Sequence, residues 1–336
     1  MILHMDGFEQ YANATDLAMA YAKLGTPTIL PASGRNGTGC IKTTSSGIEK
    51  SFGGTRDTIF CAFAFYIEAL PTSLAPVIYF KASASIHISL AVRPTGILEV
   101  RRGTTAGVLL GSGSTALAVG VWHYLECKIK INDTTGIAQV KLNGVFDIDL
   151  VNVDTRESSF AIQVDDIAIT GSLAYYGQAF RYDDLIIFDT TSPNNDFLGD
   201  LHIVTTVPDA AGDSTQWTPS AGANYQCVDE ATPNGDTDYV YSSTPGQVDL
   251  YNIADLPVAG TVFAVALASF ARKDDAATRT MRHVLKSGAT QAEGADKGLA
   301  TGYTMFSDVW DQDPNTSATW AAAAVNALQA GVKVQS

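Results

Sequence analysis

The alternation of apolar and polar residues is clearest between Val121 and Leu150. Apolar side chains at every second position share one side of an extended chain, and they are Leu125, Cys127, Ile129 and Ile131. A period of two predicts a strand with one face in a core and the other in water. Asn143-Gly144 follows, a pair typical of a type I′ hairpin turn. The stretch therefore predicts an antiparallel meander whose apolar face needs a second sheet to cover it.

Most of the remaining chain shows similar short strand patterns, and these predict an all-β protein with two modules. The first is a β-sandwich over residues 1–195, and the second is a smaller, mostly-β module over residues 200–336. The boundary falls in a segment rich in Ser, Pro, Asn and Gly, the composition of a loop.

The second module is predicted to contain one short helix, over residues 317–328, where four consecutive alanines favour helical structure. Two segments, 208–237 and 288–300, are polar and are predicted to be long loops. Loops of this size in a compact domain are either functional or packed against something. We therefore expect the second module to dock on partner proteins.

Charge and composition narrow the classes of partner. The chain has 336 residues, 46% of them hydrophobic, and a formal net charge of -14. This acidity repels phosphate backbones, so direct nucleic-acid binding is not expected. It favours solubility, with cation binding or a basic partner as the alternative. We expect no signal peptide, because no basic segment precedes an apolar one at the start. No apolar run reaches the roughly 18 residues of a membrane span.

No enzyme motif stands out in the sequence. The five histidines are scattered, and neither a GxSxG turn nor a phosphate-binding loop occurs. Asp147 and Asp149 share a strand face but lack the flanking Glu and Trp of sandwich glycosidases. The four cysteines show no CxxC spacing, which favours free buried thiols and leaves a disulfide open. We therefore expect no catalytic residue.

Two acidic pairs are candidate metal ligands. Asp165-Asp166 and Asp183-Asp184 each place two carboxylates near a predicted strand end. Such oxygen ligands suit calcium. The alternative is that these side chains cap turns through the neighbouring backbone. No other cofactor is expected.

Aromatic residues provide the candidate ligand-binding surface. Trp122 and Tyr124 lie on the polar side of their strand and are expected to face outward, as are Tyr175 and Tyr176. Exposed aromatic rings stack on sugars or anchor protein interfaces. A neighbouring loop or domain covering them is the alternative.

Three segments of the first module carry a family resemblance. They are DGFE at 6–9, WHYLECKIKI…GIAQVKLNGV at 122–145 and YDDLIIFD at 182–189. Together they resemble the concanavalin A-like (laminin-G-like) jelly roll of tailed-bacteriophage structural proteins, over about residues 1–190. The resemblance implies a concanavalin A-like antiparallel β-sandwich.

The second module resembles the carboxy-terminal module that follows this jelly roll in phage and prophage proteins. The segments that carry this resemblance are QWTPSAGANYQCVDE, DLYNIADLP, ARKDDAATRTMRHVLKSG and ATWAAAAVNALQAGVKV. It implies a virion component, made in the bacterial cytoplasm, assembled in several copies with other virion proteins and without enzymatic activity. It identifies no binding residue.

Two functions of different class follow. The first is a non-enzymatic virion structural protein, tail-associated or a head decoration, that acts through protein–protein assembly and is expected to be a homo-oligomer. The second is a tail-associated adhesin that binds host-surface carbohydrate through the jelly roll, with Trp122, Tyr124 and the acidic pairs as its residues. A glycan hydrolase would instead need two carboxyl groups about 5 to 9.5 Å apart across a cleft.

Overall fold

The computed structural model describes residues 1–44, 46–158, 160–170, 179–257 and 259–336. The chain divides into two compact units, Met1–Ile203 and Val204–Ser336.

The described residues of the first unit are mostly in strands, with one α-helical turn, α1 (Ala14–Leu17), and a 3₁₀ turn over Arg35–Gly37. Its strands are β1 (Ile2–Asp6), β2 (Ala22–Leu24), β3 (Thr28–Leu30), β4 (Cys40–Thr43), β5 (Gly47–Arg56), β6 (Thr58–Ile67), β7 (Ala75–Ala82), β8 (Ser85–Val92), β9 (Ile97–Arg102), β10 (Val108–Ala116), β11 (Trp122–Lys130), β12 (Gly136–Leu142), β13 (Val145–Val153), β14 (Val164–Thr170) and β15 (Phe180–Phe188).

These strands form two antiparallel sheets. Sheet A has the order β13-β12-β11-β6-β15-β4-β3, with β1 also paired to β15. Sheet B has the order β10-β9-β8-β7-β14-β5-β2. The apolar faces of the two sheets enclose a core in which Phe63, Phe65 and Tyr182 are completely buried. The unit is thus an antiparallel β-sandwich of two sheets, the architecture that the sequence predicted.

The two sheets are also linked by a hydrogen bond in the core. The Tyr182 hydroxyl, carried by sheet A, lies 3.0 Å from the Val77 carbonyl oxygen and 3.1 Å from that of Thr170, both in sheet B. A buried phenol needs such a partner because leaving it unpaired costs about 1–3 kcal/mol. The contact fixes the position of the ring that fills the centre of the sandwich.

The predicted meander is confirmed. Leu125 of β11 lies opposite Leu142 of β12, and the register continues to Lys130 without a bulge. Asn143 and Gly144 form the next turn with φ angles of 51° and 82°, the left-handed values that this pair tolerates. The four cysteines are buried and free.

Residues 196–203, which we call the strap, lie on the outer face of sheet A. The Phe197 ring packs edge-on against Phe60 with centroids 5.8 Å apart. The Glu126 carboxylate accepts hydrogen bonds from the backbone N–H groups of Leu198 at 3.0 Å and Gly199 at 2.9 Å. The strap thus covers part of the outer face of sheet A, which the alternation of apolar and polar residues predicts to be exposed to solvent.

The described residues of the second unit are also mostly β, with an α-helix, α2 (Ala322–Asn326), and a 3₁₀ turn over Asn224–Cys227. Its strands are β16 (Pro208–Thr215), β17 (Thr218–Pro219), β18 (Val240–Tyr241), β19 (Val248–Ile253), β20 (Val265–Ala271), β21 (Thr280–Ser287), β22 (Thr290–Glu293), β23 (Lys297–Gly298), β24 (Thr304–Trp310) and β25 (Gln329–Val334). Sheet C has the order β16-β19-β25-β21-β22, with β23 paired to β21. β17 pairs with β18, and β20 with β24.

Three local predictions for this unit are wrong in extent. The helix predicted over 317–328 is only five residues long, because Ala318 and Trp320 form extended bridges with Asp313 and Val262. The predicted loop 208–237 contains β16 and β17, and 288–300 contains β22 and β23. In β16 the residues alternate between half-buried and exposed positions, so the strand lacks the buried apolar residues that reveal a strand in a sequence.

Within the part of the chain that the structure describes, no helix is long and apolar enough to cross a membrane.

The strap generates a stability prediction. Replacing Glu126 by Ala removes two hydrogen bonds to a buried carboxylate, and we expect the free energy of unfolding to fall by about 2 kcal/mol. Amide hydrogen exchange at Leu198 and Gly199 should accelerate. Asp149→Ala is the control, since that exposed carboxylate accepts one side-chain bond from Gln139 and its loss should change stability by less than about 0.5 kcal/mol. Equal losses in both variants would contradict the role of the strap.

Candidate functional site

The outer face of sheet A carries a row of four side chains from four adjacent strands. Trp122 of β11 lies directly opposite Tyr66 of β6, and Tyr66 lies opposite Arg181 of β15. Arg181 in turn lies opposite Lys42 of β4. We call these four residues the aromatic–cationic row. Antiparallel pairing places them side by side although they span 140 positions of the sequence.

The two rings and the guanidinium are in contact. The ring centroids of Trp122 and Tyr66 are 5.4 Å apart, with the planes inclined at 52°. The Arg181 guanidinium carbon lies 4.9 Å from the centroid of Tyr66, within the range of a cation–π interaction. These contacts hold the three side chains in place and leave both rings partly exposed.

Glu68 links the two cations at the end of the row. Its carboxylate accepts a hydrogen bond of 2.8 Å from the Nε of Arg181 and one of 2.7 Å from the Nζ of Lys42. Burial favours a higher pKa for Glu68, but the hydrogen bonds from Lys42 and Arg181 outweigh it and the pKa lies below its usual range. The carboxylate is therefore charged, and two cations against one anion leave the row with an excess positive charge.

This arrangement combines flat apolar surface with charged hydrogen-bonding groups. The Lys42, Glu68 and Arg181 side chains are each between 23% and 28% exposed, so their polar atoms reach water. Rings offer a surface for C–H groups, and the guanidinium and ammonium groups supply donors for hydroxyl or carboxylate oxygens. The row therefore has the chemistry to bind a polyhydroxylated ligand that also carries negative charge.

Of Trp122 and Tyr124, the two predicted ligand-binding residues, only Trp122 belongs to this surface. The expectation that Tyr124 faces solvent is wrong, because its relative exposure is 2%. Leu201 of the strap packs against the cluster that contains it, and the Arg35 guanidinium carbon lies 5.3 Å from its ring centroid. Tyr175 and Tyr176 lie outside the described residues.

The pair Asp183-Asp184 anchors two chain segments to sheet A. The Asp183 carboxylate accepts a bond of 2.7 Å from the backbone N–H of Arg35. The Asp184 carboxylate is bonded to the Nδ1 of His202 at 2.9 Å and accepts from the backbone N–H of Ile203 at 2.7 Å. Burial and the adjacent Asp184 raise the pKa of Asp183 to about 8. The two carboxyl groups therefore bind segments that are distant in sequence, a role that differs from the capping of local turns offered as the alternative.

The pair Asp165-Asp166 is divided between two sets of partners. Asp165 accepts hydrogen bonds from the backbone N–H of Ser83 at 2.7 Å and from Gln163 at 2.8 Å. Asp166 lies beside Glu49, whose carboxylate forms an ion pair of 2.5 Å with Lys81. Burial first, and then Glu49, raise the pKa of Asp166 to about 7. The two aspartates therefore do not converge on one ligand.

No grouping of three or more His, Cys, Asp or Glu side chains that could hold a metal ion exists among the described residues. Neither predicted acidic pair thus forms a calcium cage there. Asp147 and Asp149, the carboxylates considered for hydrolysis, also have separate roles. Asp147 accepts from the backbone N–H groups of Ser114 and Thr115, each at 3.0 Å, and Asp149 is exposed.

Sequence reasoning missed Tyr66, Glu68, Arg181 and Lys42. Tyr66 and Glu68 are two positions apart at the end of an otherwise apolar strand, the one local sign that this strand end emerges from the core. The contribution of Lys42 and Arg181 depends on strand order, which periodicity does not encode.

No family model and no curated protein matches the chain. Among solved structures, it is similar to Trypanosoma rangeli sialidase with a TM-score of 0.36 and 11% identity, covering 48% of this chain and 26% of that one. The alginate lyase Aly36B matches with a TM-score of 0.36 and 12% identity over 55% of this chain and 96% of that one. Caenorhabditis elegans galectin LEC-6 matches at 0.31 and 15%, over 44% and 94%.

The chain therefore spans about a quarter of the sialidase that it matches. At these identities and TM-scores the similarities transfer no activity and no ligand to this protein.

The carboxyl pair on sheet B generates a pH prediction. Because the pKa of Asp166 is about 7 in the folded state and about 3.9 in an unfolded chain, ionisation costs the folded protein stability as the pH rises from about 4 to 7. Asp166→Asn removes this cost, so its stability relative to the wild type should increase from pH 4.5 to pH 8 in urea unfolding.

The matched control is the same substitution in a Glu49→Gln background. There the neighbouring negative charge is absent, and the pH-dependent gain should be smaller. A relative stability of Asp166→Asn that is flat with pH, or that falls as the pH rises, would refute the assignment.

Proposed function

We propose that the jelly-roll unit binds host-surface carbohydrate through the aromatic–cationic row, as a tail-associated component of a bacteriophage particle. The observation that carries the proposal is the contact of Trp122 with Tyr66 beside Arg181, Lys42 and Glu68 on one open end of sheet A. The phage setting rests on the sequence resemblance of both modules to virion proteins.

The aromatic–cationic row offers binding groups for both the apolar and the polar parts of a sugar. The C–H face of a pyranose packs on an aromatic ring, and hydroxyl groups pair with the charged side chains at the edge of the row. The excess positive charge favours sugars that carry a carboxylate, in a chain whose net charge of -14 otherwise repels them. Binding of this kind requires no catalytic group.

The test is a direct comparison of ligand affinity. Wild-type protein should bind oligosaccharides with carboxylated sugars in a glycan array, and Trp122→Ala should weaken the affinity tenfold or more, about 1.4 kcal/mol. Tyr241→Ala is the matched control, because Tyr241 is an exposed aromatic residue of strand β18, outside the row. Absence of binding to every glycan, or equal effects of the two variants, would reject the proposal.

A second role, assembly of several copies, is favoured by an apolar surface at one edge of the sandwich. The edge strands β10 and β13 contact each other through Leu150, which lies against Gly111. They expose the large apolar side chains Val108, Leu109, Val145, Phe146 and Val151. Patches of this kind mark protein interfaces, and identical patches on two copies can pair about a two-fold axis.

This second role is tested by solution mass. Wild-type protein should sediment as an oligomer, and the double substitution of Val145 and Val151 by Asp should shift it to the monomer. Leu24→Asp is the control, since Leu24 is an exposed apolar residue in β2, at the opposite edge of sheet B. A monomeric wild-type protein would rule out self-association through this surface.

A further inference from the structure

We propose that the second unit carries a nucleophilic serine, Ser269, activated by His283 and Asp308. The Ser269 Oγ lies 2.7 Å from the Nε2 of His283. The Nδ1 of the same ring lies 2.9 Å from the Asp308 carboxylate. These are the distances expected of a nucleophile, its general base and the group that orients the base.

Three strands of the second unit bring these residues together. Ser269 is on β20 and Asp308 is on β24, and the register pairs Ser269 with Phe306 and Leu267 with Asp308. Ser269 and Asp308 are therefore diagonal neighbours on the same face of this two-stranded sheet. His283 comes from β21 in sheet C and is completely buried.

The backbone at Gly294 lies directly beside His283 and Asp308. The backbone N–H of Gly294 donates a bond of 2.9 Å to the carbonyl oxygen of His283. A Cβ atom at position 294 would overlap the Asp308 carboxylate. Only glycine leaves room for that carboxylate against the imidazole, so residue 294 is part of the same arrangement.

Asp308 fixes the protonation pattern of the imidazole. Burial favours a higher pKa for Asp308, but hydrogen bonds from His283 and Lys297 outweigh it and the pKa lies below its usual range. The Lys297 Nζ is 2.8 Å from the other carboxylate oxygen. An ionised carboxylate only accepts hydrogen bonds, so Nδ1 carries the proton and the Nε2 of a neutral ring accepts the Ser269 hydroxyl proton.

Exposure distinguishes the three groups. His283 is fully buried and the Asp308 side chain is 15% exposed, whereas Ser269 is half-buried. Residue 269 is thus in partial contact with solvent, and the base behind it is shielded from water. The substrate class that this chemistry serves is a carboxylic ester, since acyl transfer is the reaction of a serine activated by a histidine and an aspartate.

The reaction is ester hydrolysis in two stages. In the first, the Ser269 Oγ forms a bond to the ester carbonyl carbon while its proton moves to the Nε2 of His283. That proton then passes to the departing alkoxide as the ester C–O bond breaks, which leaves an acylated serine and an alcohol. In the second stage, a water molecule gives a proton to the Nε2 of His283, and the oxygen of that water forms a bond to the acyl carbon. The serine bond breaks, Ser269 recovers the proton and the carboxylic acid departs.

The alternative is a buried polar network that only joins β20 and β24 to sheet C. A fluorophosphonate probe separates the two, because it reacts covalently with activated serines. With the full-length protein, we expect the probe to add to the peptide that contains Ser269 and p-nitrophenyl acetate to be hydrolysed. Ser269→Ala should abolish both, and Asp308→Asn should slow labelling at least 100-fold.

Ser307→Ala is the matched control, since its backbone carbonyl, and not its hydroxyl, bonds to Lys297; it should be labelled like the wild type. Circular dichroism establishes that each variant is folded. Failure of the probe to label folded wild-type protein would overturn the proposal. Labelling that persists in Ser269→Ala, or that is unchanged in Asp308→Asn, would also do so.

Discussion

The antiparallel pairing of β6 with β11 on one side and β15 on the other is the constraint on which the first unit depends. β6 is central in sheet A, and its residues from Ile59 to Phe65 are buried on both faces. One face supplies Phe63 and Phe65 to the core between the sheets. The other ends at Tyr66, where the same register aligns Trp122 and Arg181. A slip of one residue would move every side chain to the opposite face, so core and row are specified together.

The strap determines how much of sheet A remains available to a ligand. Glu126 and Asp184 hold its backbone, and Leu201 packs over Tyr124. Both carboxyl groups are buried and accept hydrogen bonds from backbone N–H groups of the strap, since a buried polar group without a partner costs free energy. The strap therefore removes the middle of the outer face from solvent and leaves the end that carries Trp122 accessible. The aromatic–cationic row therefore lies on the part of the outer face of sheet A that the strap does not cover.

Local patterns predicted the strands, the Asn143-Gly144 hairpin and the sandwich, because alternation and turn chemistry depend on near neighbours. The outward position of Trp122 on its strand was also predicted in this way. The burial of Tyr124 was not predictable, since its cover comes from Leu201, distant in sequence. Ser269 was not predicted for a related reason. It lies within a strand and outside any nucleophile motif. Only the packing of its strand against sheet C brings it next to His283. Contacts between strands thus limit what one sequence reveals.

Nuclear magnetic resonance of the indole N–H groups tests the central claim most directly, that the aromatic–cationic row is the ligand surface. The protein has four tryptophans, and Trp122→Phe assigns the signal of interest by its disappearance. Titration of the ¹⁵N-labelled protein with an acidic oligosaccharide should shift the Trp122 signal and leave those of Trp217, Trp310 and Trp320 in place. Saturable binding that leaves the Trp122 signal unmoved would contradict the account.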